Sequence, residues 1–314
     1  MVLLRTTQYT GDYLRTCGTD MLNTEIPSAQ HTELDLYATP DLVAAFIEDQ
    51  VYAVNAVRAA AADLARAVDA ALPRMRSGGR LIYAGAGTSG RLGVLDSVEL
   101  YPTFSWPHER AIGLLAGGNS AMFVAGEGAE DDADQGMRDV KSIHAGPNDV
   151  VLLIAASGST PYVLGALKAA RSAGALTVGF ANNPNAPVTQ QADIGITLDT
   201  GSEVISGSTR LKAGTSQKIA LNTFSSALMV RLNKVHGNLM VDLKATNAKL
   251  VQRAVALTMR ATGCDEALAS NTLLACDHHV KVAVVAIQCG VDIATARERL
   301  ATAGDSVRGA LGLA

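Results

Sequence analysis

The first 36 residues are polar and without apolar periodicity, so they read as an N-terminal arm, 1–36. From Thr39 the pattern changes. Leu42, Phe46, Val51, Val54, Val57, Leu64, Val68 and Leu72 recur at helical spacing and define a core-facing stripe on a long helical region reaching Met75. Thr39-Pro40-Asp41 marks its start, with a hydroxyl cap, a proline in the first turn and an acid beside the positive end of the helix dipole. Beyond Arg80 the period shortens. Apolar runs Leu81-Ile82-Tyr83-Ala84, Ala111-Ile112-Gly113-Leu114-Leu115, Val150-Val151-Leu152-Leu153-Ile154, Leu176-Thr177-Val178-Gly179-Phe180 and Ile194-Gly195-Ile196-Thr197-Leu198 alternate with helical stretches. Strands that are apolar on both faces and separated by helices predict an α/β domain, 37–247, built as a doubly wound parallel sheet. Past Asn247 the pattern is helical throughout, with breaks near Gly263, Gly290 and Gly304, which predicts a small C-terminal all-helical domain, 248–314.

Composition narrows the partners. At 314 residues, with 48% apolar, 18% charged and 4% aromatic residues, the chain suits tightly packed helices over a sheet. A net charge of −4 supplies no basic field for nucleic acid or an anionic membrane, so neither is expected as a partner. No apolar run approaches the length of a bilayer span, and no basic stretch followed by an apolar one marks an export signal. The four cysteines, Cys17, Cys264, Cys276 and Cys289, are dispersed and read as reduced thiols, which places the chain in the cytoplasm. Cys276, His278 and His279 read as ordinary helix residues rather than a metal site, because adjacent helical histidines point apart.

Ligands of a doubly wound sheet bind at the carboxyl ends of its strands, so the residues after each apolar run carry the chemistry. Three junctions share a composition of small residues and hydroxyls: Gly85-Ala86-Gly87-Thr88-Ser89-Gly90, Ala156-Ser157-Gly158-Ser159-Thr160 and Ser206-Gly207-Ser208-Thr209-Arg210. The first matches the dinucleotide pattern Gly-x-Gly-x-x-Gly, but the second strand ends in Ala116-Gly117-Gly118, without the acid that would hold a ribose. Helix-start amides with the Thr88 and Ser89 hydroxyls suit one compact phosphate instead. A single glycine- and serine-rich junction would be explained by tight turns alone; three that converge on one sheet edge predict one pocket for a small-molecule sugar phosphate. Gly87, Thr88, Ser89, Ser157, Ser159, Thr160, Ser208 and Thr209 are its expected lining, with Lys212 and Arg210 placed to meet an anion. Two acids follow: Glu99 in Leu95-Asp96-Ser97-Val98-Glu99-Leu100, on a helix that Tyr101-Pro102-Thr103 should stop, and Glu130 in Glu127-Gly128-Ala129-Glu130-Asp131-Asp132.

At these residues the chain resembles the N-acetylmuramic acid 6-phosphate etherases of the sugar isomerase (SIS) fold superfamily. The resemblance runs from about Thr24 to the C-terminus and is carried by Gly85 through Gly93, Glu127 through Asp131, Ser157-Gly158, the run Ser208-Thr209-Arg210-Leu211-Lys212-Ala213-Gly214-Thr215, and Gly237 through Asp242. It implies removal of D-lactate from N-acetylmuramic acid 6-phosphate, leaving N-acetylglucosamine 6-phosphate, during recycling of cell-wall peptidoglycan sugars. In the ring-opened sugar the C2 hydrogen lies beside the C1 aldehyde, so a carboxylate can remove it; lactate leaves from C3 once an acid protonates its ether oxygen, and water then adds back. The resemblance assigns Glu99 to the lactate oxygen and to water, and Glu130 to the C2 proton. The first role calls for an apolar setting, which Val98 and Leu100 are placed to supply. The implied reaction needs no cofactor and no metal, and the implied assembly is a homodimer whose sites draw on both subunits. Two positions depart from the family: the flank of Glu99 reads Ser97-Val98-Glu99-Leu100-Tyr101 where Ala-Ser-Glu-Cys-Pro is usual, and Ser159 stands where arginine is usual. Rival readings on the same fold are a non-catalytic sugar-phosphate regulator resembling the glucokinase regulatory protein, which shares the run from Ser208 to Thr215, and a ketose–aldose isomerase.

Overall fold

Each apolar run forms a strand: β1 Leu81–Gly85, β2 Ala111–Leu115, β3 Val150–Ile154, β4 Leu176–Ala181 and β5 Ile194–Thr197. All are parallel, in the order β2-β1-β3-β4-β5. The register pairs Ile82 with Ile112 and Val151, Val151 with Thr177, and Val178 with Ile194. The computed structural model describes residues 21–124, 126, 128–243 and 248–313; Cys17, Glu127 and the expected boundary at Asn247 lie outside the described residues.

The strands are apolar on both faces because both faces are covered. Leu81, Tyr83, Val150, Leu152, Ile154, Val178 and Phe180 pack on one side against helices α1 (Thr39–Ala59), α2 (Ala61–Arg76), α3 (Gly87–Phe104) and α7 (Lys212–Arg231). Alternate residues, Ile82, Ala84, Val151 and Leu153, face α4 (Ala133–Ser142) and α5 (Pro161–Ser172) on the other, with the short α6 (Pro187–Gln191) at the edge. Burying one such side chain contributes about 1.5–3 kcal/mol, so the core is the main stabilising term. A separate cluster joins α8 (Ala248–Thr262), α9 (Glu266–Ala275), α10 (Val280–Cys289), α11 (Ile293–Thr302) and α12 (Val307–Ala310). Val241 and Leu243 are buried in that cluster, so residues 239–243 pack with the helical unit.

Five local expectations are corrected. The single long helix is two, broken at Ala60 (φ −85°, ψ 6°). Val57, Leu64, Val68 and Leu72 reach the core, but Val51 and Val54 are 53% and 45% exposed, alongside exposed Val43 and Ile47. The first helix is entered from Ala38, with Thr39 already helical and making no side-chain cap. Pro102 lies inside α3 rather than ending it, giving up the hydrogen bond that an N–H there would make to the preceding turn, and the helix stops at left-handed Ser105 (φ 50°). Cys276, His278 and His279 form the turn between α9 and α10, with Asp277 and His278 both at positive φ.

Candidate active site

The strand order reverses between β1 and β3, the position at which doubly wound sheets of this order bind ligands. There the loops after β1 and β3 part around a cleft of about 430 Å³. Gly87, Thr88, Ser89, Ser157, Ser159, Thr160, Thr209 and Glu130 line it, together with Glu25 and Asp131. Three hydroxyl-rich junctions do converge.

The first junction turns sharply enough to bring Gly85 and Gly90 into backbone contact. A Cβ on Gly90 would lie 2.5 Å from the Gly85 carbonyl oxygen and 2.5 Å from Leu115 Cδ1, so glycine is required for packing as well as for access. Ala86, the residue before α3, makes no side-chain cap, which leaves the first-turn amides of Gly87, Thr88 and Ser89 at the positive end of an 18-residue helix. In the second junction the Ser159 amide donates to Ser157 Oγ (3.2 Å), and Ser157 Oγ lies 3.5 Å from Thr160 Oγ1. This ring of small hydroxyls leaves room for an oxyanion between it and the start of α3. Ser208 does not line the cleft; its carbonyl accepts from the Leu211 amide (3.1 Å), holding the turn that presents Thr209.

The start of α7 differs. Glu203, fully buried, accepts from the amides of Lys212 (3.1 Å) and Ala213 (2.9 Å), so this helix terminus already holds its anion. Burial pushes the Glu203 carboxyl above the ordinary range, against the opposing pull of those two amides and the Lys212 ammonium. Lys212 also lies outside the cleft, which corrects its expected contact with the ligand. Its Nζ is 2.7 Å from Asp49 Oδ1, and the pair is buried under Tyr52. An ammonium neutralised in this way anchors α7 to α1.

The two expected acids are not brought together in one chain. Glu130 sits on the short turn Ala129–Asp131 and faces the cleft. Glu99 is twelve positions beyond Gly87 on α3, on the order of 18 Å along the helix axis, and it lines a different groove between α3 and α7 with Asp96, Lys218 and Asn222. Glu99 and Val98 are exposed there and only Leu100 is buried, so a single chain does not supply the apolar setting expected for Glu99. One turn earlier Asp96 is buried, accepting from the Tyr83 hydroxyl (2.7 Å), Ser225 Oγ (3.2 Å) and Asn222. Burial raises its carboxyl, with those donors pulling the other way.

Sequence reasoning missed Glu25 and Asp131 in the cleft, and Glu203 and Asn183 behind it. Glu25 lies in the aperiodic arm, where the start of the family resemblance at Thr24 was the only signal. Asn183 follows β4, and its side-chain amide bridges Thr24 to the carbonyl of Ala156.

Comparison with known proteins adds three families and many relatives. Residues 63–171 match the glucokinase regulatory protein N-terminal SIS domain, 127–227 the SIS domain, and 237–300 the C-terminal lid domain of glucokinase regulatory protein. A protein from Deinococcus radiodurans named N-acetylmuramic acid 6-phosphate etherase is 56% identical over 294 residues, covering 94% of this chain and 96% of its own. One from Salmonella typhi with the same name is 47% identical over 290 residues, covering 92% of this chain and 98% of its own.

Proposed function

This chain belongs to the N-acetylmuramic acid 6-phosphate etherases, and we propose that it carries out their lyase reaction in the cleft at the β1/β3 switch point. The observation that supports this most is the joining of an uncapped helix start, a ring of hydroxyls with Thr209 beside it, and Glu130 around one cavity large enough for a sugar phosphate. The 6-phosphate rests on the amides of Gly87, Thr88 and Ser89 and the hydroxyls of Ser157, Ser159, Thr160 and Thr209, where the helix dipole favours it. Glu130 takes the C2 proton of the ring-opened sugar. Full-length kinship with etherases favours this reading over a regulator or an isomerase, although two matched segments bear the regulator's name.

Glu99 reaches the departing lactate oxygen from a second copy of the chain. Its distance along α3 from the phosphate loop calls for this. The exposed apolar residues Val43, Ile47, Val51 and Val54 on α1, with Leu95 and Val98 beside Glu99, supply a face for a homodimer. Covering that face gives Glu99 the apolar setting that a single chain lacks. Within the chain we place the arm at 1–36 and the α/β unit from residue 37, with the helical unit drawing in 239–243 ahead of the expected division at 247/248. We place the enzyme in the cytoplasm, where Cys264, Cys276 and Cys289 stay reduced and peptidoglycan sugars are recycled.

The test is release of D-lactate from N-acetylmuramic acid 6-phosphate by the purified protein; no lactate sinks the assignment. Glu99→Gln and Glu130→Gln each abolish release. Mixed after co-refolding, the two inactive variants recover about a quarter of wild-type activity, because half the dimers are mixed and each holds one intact site. No recovery places both glutamates in one subunit and removes the shared site.

A further inference from the structure

Glu25 enters the cleft from the N-terminal arm, and the contacts behind it are specific. Thr24 is fully buried: its amide donates to Asn183 Oδ1 (3.2 Å), and Asn183 Nδ2 donates back to Thr24 Oγ1 (3.1 Å). The same Asn183 Nδ2 donates to the Ala156 carbonyl (2.9 Å), in the loop that carries Ser157 and Ser159. Neighbouring Asn23 donates from Nδ2 to Asp199 Oδ1 (3.2 Å), just past β5. One buried asparagine therefore ties the arm to a phosphate-binding loop and sets where the next residue points.

On its other side Glu25 lies against Gly207. This glycine has φ +75°, a left-handed backbone that favours glycine, and a Cβ there would stand 3.0 Å from Glu25 Oε2 and push the carboxylate tip aside. The carboxylate stays exposed beside this junction and makes no bond to it. Among the described residues none donates to or pairs with the Glu25 carboxylate, which faces the cleft beside Ala86 to Ser89, Ser157 and Thr209. A carboxylate held in this way only accepts hydrogen bonds, and it repels a phosphate. It fits the donor-rich part of a ligand whose phosphate lies on the amides opposite.

We propose that Glu25 is a specificity-determining residue that accepts hydrogen bonds from hydroxyl or amide N–H groups of the amino sugar, with Thr24 and Asn183 as its positioning residues. The inference rests on the cleft being the sugar-phosphate site. Glu25 then sorts phosphorylated ligands by the donors they carry beyond the phosphate, and the arm is part of the active site.

The test is steady-state kinetics of the full chain with N-acetylmuramic acid 6-phosphate, with inorganic phosphate as a competitive inhibitor, for Glu25→Ala, Glu25→Gln, Asn183→Ala and Thr88→Val. Glu25→Ala raises KM about tenfold with kcat within about threefold, the pattern of a lost contact made equally in ground and transition states. Glu25→Gln, which keeps one acceptor, falls between, and Asn183→Ala follows Glu25→Ala. The inhibition constant of phosphate is unchanged or lower in Glu25→Ala. An unchanged KM overturns the proposal. So does a hundredfold loss of kcat at constant KM, which makes Glu25 an acid or base, and so does a parallel weakening of phosphate, which makes the arm a mere support for the loops. Thr88→Val separates the two readings. If it raises KM and weakens phosphate while Glu25→Ala does neither, only the role of Glu25 fails; if it too changes neither, the cleft assignment itself is wrong.

Discussion

Helices α3 and α7 both begin after a glycine- and serine-rich junction at the carboxyl edge of the same sheet, yet they meet opposite fates. The first amides of α3 face an open cleft without a side-chain cap, whereas those of α7 are closed by Glu203 from nine and ten positions upstream. Local composition is nearly the same at the two sites. What differs is whether a buried carboxylate from elsewhere in the loop arrives first. An uncapped helix start beside a cavity marks a site for a ligand's anion, while one capped by a buried glutamate marks a structural anchor.

Making the open terminus resemble the closed one gives the largest expected effect. Thr88→Asp places a carboxylate at the start of α3, where it favours the helix but repels phosphate. It lowers kcat/KM for lactate release by about 100- to 1,000-fold, on the order of 3–4 kcal/mol, with no loss of thermal stability. A variant that keeps its activity removes the phosphate from α3.

The converse change tests the anchor. Glu203→Ala strands two buried amides and unbalances the buried Asp49–Lys212 pair, at a cost of about 2–4 kcal/mol in denaturant unfolding. Asp49 Oδ2 already lacks a partner among the described residues, so the pair has little to spare. A loss below about 0.5 kcal/mol, the scale of an ordinary surface change, makes the capping incidental.

Gly90→Ala sharpens the comparison from the packing side. Its Cβ meets a backbone oxygen and Leu115 at 2.5 Å, which costs about 1–3 kcal/mol in stability and shifts the phosphate loop. The same substitution at Gly214, where the nearest atoms are 3.3 Å away, costs less. Equal costs would mean that the first turn is no tighter than the start of α7.

The smallest effect is a dependence on pH. Burial holds the Glu203 carboxyl above its unfolded value, so the native state takes up a proton there that the unfolded chain has released. The stability that this group contributes is complete below the ordinary glutamate range and declines as pH rises through the raised value. Stability measured from pH 4 to 7 therefore falls with pH more in the parent than in Glu203→Gln. Parallel curves would assign the slope to another group, for example Asp96, which burial shifts the same way.

The strands were legible because burial on both faces leaves an unmistakable run: Val150–Ile154 has no polar residue to misplace. The long helix was misread at its middle because periodicity records spacing and not the direction of the axis, which turns at Ala60 and leaves Val51 and Val54 outside. The hydroxyl junctions were legible from their composition, and Gly87 to Ser89, Ser157 to Thr160, Thr209 and Glu130 do line one cleft. Ser208 and Lys212 were drawn in by proximity in sequence alone. Asp49, more than 160 positions upstream, takes the Lys212 charge, and no local pattern announces a partner so distant.

By itself the sequence determined the parallel sheet, the order of its strands and helices along the chain, and the chemical character of the loops, because these depend on neighbours within a few residues. Only the tertiary structure decided which helix start remains open, that Glu25 of the arm lines the cleft, and that Glu99 and Glu130 face different grooves. Those outcomes depend on where buried carboxylates and a single asparagine come to rest once the core has formed, and such contacts join residues whose separation in the chain carries no period to read.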